Sequence, residues 1–327
     1  MKTIVFLVAA ALTVSIPAFA SQQVELRSLM GQFFKIYDQV DPAERMLSMK
    51  ALIAAHPDLY GPVIPVMSDE QLGQFIAGQE GKLAFQREIT KALEAQFPKT
   101  IAVVRQKLGP PQPAVVYIAP SLFTSNGQVR MLNGTPVLVF GPDVQAYAFE
   151  NITPRKPPFD VRALVAHEFF HTQHYARNAE MAADANALFA AEGKPPLYVN
   201  LWIEGLATCA SMIFDGDGAA SDALMSEDLA NRLPVLMPKV AAEFSAKMMS
   251  ASEEDYRDFF WLSGQRADIP KRSAYGLGAF VADKVIHSVG LERAMMLHGN
   301  ALRGAITSAF DELSSDPAPK SWDTICH

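Results

Sequence analysis

"DVRALVAHEFFHTQHYAR", residues 160–177, places three of the chain's seven histidines within eight residues and sets a glutamate beside the first. On a helix, residues four apart lie about 6 Å apart along the axis and about 40° apart around it. His167 and His171 therefore present two imidazoles from one face, at a spacing that suits one tetrahedral zinc ion. Glu168 points beside that face and can reach a metal-bound water rather than the metal, which is the H-E-x-x-H arrangement. Three fixed positions of this kind arise by chance in roughly one chain of this length in a hundred, and the bland alternative is a solvated polar helix face. Asp160 is the expected N-cap of a helix from Val161 to about Arg177.

Working outward, "VRMLNGTPVLVF" (129–140) reads as a hairpin, with Asn133-Gly134 at the turn and Val137–Phe140 as its second strand. Val115–Ile118 reads as a short buried strand before it. From Val24 to about Leu108 apolar residues recur three and four apart, with Pro42, Pro57 and Pro98 punctuating between helices. Beyond the histidine helix, further helices are expected near 180–191, 200–213, 222–249, 253–261, 273–289 and 299–313. The fold class is α+β and predominantly α-helical, with one small sheet just before the histidine helix. A helical region over 21–110 precedes a region over 111–327 that carries the sheet and the histidines.

The first twenty residues read as a secretory signal peptide: Lys2, an apolar run from Ile4 to about Ile16, and Ala18-Phe19-Ala20 as the cut site. That run is too short to span a bilayer comfortably, and no later run is long enough for an integral membrane segment. Export to a periplasm or the extracellular space is the expectation, with about 307 residues left to fold. Twenty-eight basic against 35 acidic side chains give a formal charge of −7, or −8 without Lys2. With no basic tract, nucleic acid is not an expected partner. Cys209 and Cys326 could pair in an oxidising compartment and pin the C-terminal tail, or Cys326 could remain free on a frayed end. Two cysteines cannot make a Cys-rich zinc site, so any metal must rely on His and carboxylate.

A hydrolytic zinc site needs a third protein ligand and one open position. One solution uses a histidine six residues after the second, with a glycine midway. Those positions are Arg177 and His174, so it is excluded. His174 is either a hydrogen-bond partner to a ligand or an exposed side chain, and exposure is the expectation. The other solution is a glutamate on a later helix, and "NLWIEGLATCASMIF" (200–214) offers Glu204 among residues that look buried. A carboxylate there needs a partner to offset its desolvation, which zinc would provide. Otherwise it is a solvated glutamate near a helix N-terminus.

"HEFFH" followed 33 residues after His171 by Glu204 in "WIEGLA" resembles the gluzincin zinc metallopeptidases, and most closely their secreted bacterial predicted zinc-dependent proteases. The resemblance covers roughly residues 135–290. It implies a two-lobed fold, a peptide or protein substrate, and one Zn2+ per chain held by His167, His171 and Glu204. It also implies Glu168 as general base and acid. The family's acidic residue four places after the ligand glutamate is replaced here by Thr208. The family places a strand beside the helix whose edge pairs with substrate, and residues 136–140 are the candidate. Tyr275, followed by Gly276 and Gly278, resembles the family's metal-assisting tyrosine, whereas His287 falls on a face with Asp283 and Lys284 and is expected to be exposed. The rival from another class is a non-catalytic metal- or peptide-binding protein retaining the fold. The intact Glu168 argues against it.

Overall fold

The computed structural model describes residues 24–61, 67–132, 134–152, 154–188, 193–216, 218–316, 318 and 320–327. The signal-peptide stretch 1–20 and Asn133 of the hairpin turn lie outside the described residues. The chain runs β1 (Glu25–Ser28), α1 (Met30–Ile36), α2 (Pro42–Ala55), α3 (Pro57–Tyr60), α4 (Asp69–Gln79) and α5 (Leu83–Leu108). Then come β2 (Val115–Ile118), β3 (Gly127–Leu132), β4 (Thr135–Phe140), α6 (Pro142–Asn151), α7 (Arg162–Arg177) and α8 (Ala179–Ala187). It ends with α9 (Leu197–Asp215), α10 (Ala220–Leu224), α11 (Glu227–Lys247), α12 (Glu253–Phe260), α13 (Ser273–Val289), α14 (Leu291–Met295) and α15 (Gly299–Ser315).

This is a mostly helical α+β protein with one four-stranded mixed sheet, ordered β1-β2-β4-β3. β1, β2 and β4 run parallel, and β3 pairs antiparallel with β4. Two sequence expectations fail here. The start of the N-terminal region is a strand rather than a helix, because Glu25–Ser28 pairs with Val115–Ile118. β4, the candidate substrate strand, is flanked on both sides and has no free edge; the free edge beside the histidine helix belongs to β3.

Helix boundaries depart from the sequence reading where local chemistry intervenes. Pro98 sits inside α5 instead of ending it. It and Glu94, whose carbonyl loses its helical partner, are both exposed, so water can satisfy that carbonyl. The helix expected over 222–249 breaks at Met225, which takes a left-handed backbone at φ +50°. α7 starts one residue later than expected, and Asp160 accepts the N–H of Arg162 at 3.0 Å while pairing with its guanidinium.

α7 packs against β3, β4, α5 and α9, and every residue from Ala163 to Tyr175 is buried. Two of its polar side chains are tied to main chain: Thr172 donates to the Phe169 carbonyl, and Gln173 accepts the N–H of Gln112, on the loop before β2, at 2.7 Å. α9 is long and apolar enough to cross a membrane, but most of it is buried inside the fold. Its other face meets α13 at Gly205 and Gly278. A Cβ on Gly278 would come within 2.5 Å of the Leu201 carbonyl oxygen and 2.7 Å of the Gly205 Cα. Cys209 on α9 is disulfide-bonded to Cys326, so the C-terminal tail is pinned to this helix, and the Cys326 N–H donates to Asp283 on α13.

His174 is buried, contrary to the expectation of exposure. The segment 295–297 covers it, tied down by Asn178, whose side-chain amide donates to the Met295 carbonyl. Its ring lies 5.7 Å from that of Phe170, and it makes no hydrogen bond to His167 or His171. Burial, reinforced by the charge of His171, pushes its pKa down to about 3, with the Met295 carbonyl pulling weakly the other way.

Two outcomes follow from this packing. Gly278→Ala places its methyl against backbone that cannot yield, and a loss of about 1–3 kcal/mol is expected in urea denaturation. His174 is neutral when folded and protonates near pH 6.5 when unfolded, so its contribution is present above pH 6.5 and lost as pH falls toward about 3. In metal-stripped protein, His174→Met should flatten the stability–pH curve across that window by at most about 1.4 kcal/mol per pH unit.

Candidate metal centre

Two helices build the centre. α7 supplies His167, Glu168 and His171 from its buried face, and α9 crosses it to bring in Glu204. His167 Nε2 lies 3.2 Å from Glu204 Oε2 and 3.2 Å from His171 Nε2, and His171 Nε2 lies 3.7 Å from the same carboxylate oxygen. Two atoms each about 2.0–2.1 Å from a tetrahedral zinc stand about 3.3 Å apart. The three separations bracket that value, so the donor set fits one zinc ion. Two imidazole Nε2 atoms facing each other at 3.2 Å also need a cation or a shared proton to be comfortable.

The electrostatics agree with the geometry. Burial would raise the Glu204 pKa, but hydrogen bonds from His167 and His171 overcome it and hold the carboxyl well below the usual range. For His171, burial works against protonation, yet the hydrogen bond and charge of Glu204 leave its pKa raised. Burial pushes the Glu168 pKa up, with the charges of His167 and His171 opposing. Among the described residues neither His167 Nδ1 nor His171 Nδ1 has a hydrogen-bond partner. Thr208 cannot serve, because its hydroxyl donates to the Glu204 carbonyl one turn back on its own helix.

Glu168 is seated by a residue the sequence reading passed over. Gly127 opens β3, and a Cβ there would lie 2.5 Å from the Glu168 Cγ and Cδ. That approach brings the sheet edge against the carboxyl. Met131 faces Pro136, which has no N–H, so the ladder bonds belong to the alternate pairs Arg130–Val137 and Gln128–Val139. The Gly141 N–H donating to the Asn126 carbonyl continues that set. The backbone groups of Val129 and Met131 consequently face the open side of the sheet.

A cleft of ≈360 Å³ holds His167, Glu168, His171, Glu204 and Tyr275 together. Tyr275 stacks beside His167, with ring centroids 6.3 Å apart. Burial, then the charge of Glu204, raise its pKa, with Arg272 opposing, so it remains a phenol able to donate. His287 is exposed beside Asp283 and takes no part in the cleft. Arg272 and Asn200 line the cleft and were not legible in the sequence. Arg272 is an arginine before a helix like many others, and Asn200, one turn ahead of Glu204, carries no spacing signal.

No family model matches this chain, and no curated protein and no solved structure matches it at a significant level.

Replacing Gly127 should disturb Glu168 without touching the ligands. Gly127→Ala is expected to leave zinc uptake, read by elemental analysis, unchanged, and any zinc-dependent hydrolysis that uses Glu168 is expected to fall roughly 10- to 100-fold, the scale for a displaced reacting group.

Proposed function

We propose that this chain is an exported zinc-dependent metallohydrolase of the gluzincin type that hydrolyses peptide bonds, with one zinc ion held by His167, His171 and Glu204. The observation that carries the reading is the triangle of three ligand atoms at 3.2, 3.2 and 3.7 Å, with Glu168 in the same cleft. On this reading the wall formed by β3 and α7 and the facing wall formed by α12 and α13 are the two lobes.

Bound there, zinc would polarise the scissile carbonyl and lower the pKa of the attacking water. Glu168, buried and with a raised pKa, accepts the water proton and passes it to the departing amine nitrogen. The Tyr275 hydroxyl donates to the carbonyl oxygen as negative charge develops on it. The outward backbone groups of Val129 and Met131 pair with the substrate main chain, which aligns the scissile carbonyl over the cleft. Gly127 leaves the Glu168 carboxyl room at that edge.

Metal analysis and cleavage of a mixed peptide library test the reading together. Purified protein should carry one zinc per chain, His167→Ala should lose it, and Glu168→Gln should keep it while cleaving about 10²- to 10⁴-fold more slowly. Protein without bound metal would overturn the proposal. Zinc without turnover would replace it with a metal- or peptide-binding role.

A further inference from the structure

Beside the metal cleft lies a second cavity of ≈350 Å³, and the two share Asn126, Met225, Phe260, Trp261, Arg272 and Tyr275 as a common wall. Its remaining lining is largely apolar, with Ala148, Phe149, Ile152, Leu164 and Leu262 among it. Ile152, Trp261 and Leu262 are exposed at 42%, 37% and 43%, so apolar surface continues to its mouth. Its acidic groups are already matched: Asp222 pairs with Arg155, and Asp160 with Arg162.

Arg272 is different. Its guanidinium carbon lies 3.9 Å from the centroid of the Tyr275 ring, it makes a long 3.5 Å hydrogen bond to the Leu224 carbonyl, and its charge also acts on the Tyr275 hydroxyl and, without an ion pair, on the Glu168 carboxyl. No carboxylate pairs with it among the described residues, although a guanidinium offers five donors in a fork matched to one. It stands at the N-cap of α13, whose positive end adds to its charge. With zinc bound, the two glutamates of the site are offset, and Arg272 leaves the junction of the two cavities net positive.

We infer that Arg272 binds a substrate carboxylate at this junction while the apolar chamber takes the side chain of the same residue, making the protein a carboxypeptidase for peptides ending in a bulky apolar residue. A carboxylate and a large apolar group share one carbon only at a peptide's C-terminal residue. An aspartate or glutamate side chain supplies the charge without the apolar group. In the reaction, water adds to the carbonyl carbon of the penultimate residue and the following C–N bond breaks. The proton that Glu168 accepted goes to the nitrogen of the released amino acid. The inference deepens the peptidase reading and rests on it for the bond that is cut.

Binding to zinc-loaded Glu168→Gln protein, measured by calorimetry, tests it without turnover. An N-acylated tripeptide ending in free phenylalanine should bind about tenfold or more tighter than its C-terminal amide. Adding Arg272→Met should erase the difference, and Arg272→Lys should restore part of it. Ala148→Phe, which narrows the chamber, should weaken the phenylalanine peptide while sparing one ending in free glycine. Equal binding of acid and amide overturns the inference, as does a preference that survives Arg272→Met in protein with an unchanged melting temperature. An amidated peptide with an internal aspartate that binds as well as the free acid overturns the assignment to the chain terminus. Zinc-dependent cleavage that ignores amidation would defeat this inference and leave the peptidase proposal standing. An acid preference that needs Arg272 in a protein that takes up no zinc would defeat the peptidase proposal, and the carboxypeptidase assignment with it, leaving Arg272 as a binding site for a peptide C-terminus alone.

Discussion

The crossing of α9 over α7 on one side and α13 on the other is the contact on which the candidate centre depends. Gly205 and Gly278 let the backbones of α9 and α13 approach closely enough that any side chain at either position would meet main-chain atoms. Glu204 directly precedes Gly205, and Tyr275 lies one turn before Gly278. The same close approach therefore sets the depth of the Glu204 carboxylate and the position of the phenol beside His167. The disulfide from Cys209 to Cys326 and the bond from Cys326 to Asp283 clamp the C-terminal tail across these two helices.

Burial then does most of the chemical tuning. Two histidines and two glutamates share a pocket whose walls are core, and the pKa values of the two carboxyls are pushed in opposite directions. Glu204 is held ionised by the imidazoles it touches, while Glu168, without such hydrogen bonds, is driven toward protonation. Two carboxylates a short distance apart thus acquire different characters: one suited to hold a cation and the other to exchange a proton. His174 lies in the same buried helix face but is packed rather than employed, and burial keeps it neutral.

Much of this architecture can be traced to local pattern. The helices after residue 197 follow the apolar periodicity closely apart from the break at Met225, and β2 and β4 coincide with their apolar, valine-rich runs. His167, His171 and Glu168 meet because all three lie on one helix, whose pitch fixes their spacing. Glu204 was legible for a different reason, as a lone carboxylate among Trp202, Ile203, Leu206 and Ala207, all of which are fully buried.

Other features could not be read locally. Whether 136–140 or 127–132 forms the open edge depends on where β2 inserts, and that is a pairing between separate strands that neither strand's own pattern encodes. The Glu25–Ser28 strand is likewise decided by its partner, since four residues at a helix-like start have no period of their own to express. The fate of His174 depends on a segment over a hundred residues later folding across it. Gly127 and Arg272 belong to this group too, because a glycine's use lies in what approaches it and an arginine's in which groups the fold sets around its guanidinium. The sequence by itself determined the helix that presents two imidazoles and a carboxyl, because that spacing is a property of one helix. Only the tertiary structure decided which edge, which phenol and which cation face them, because those are distances between elements that no local period encodes.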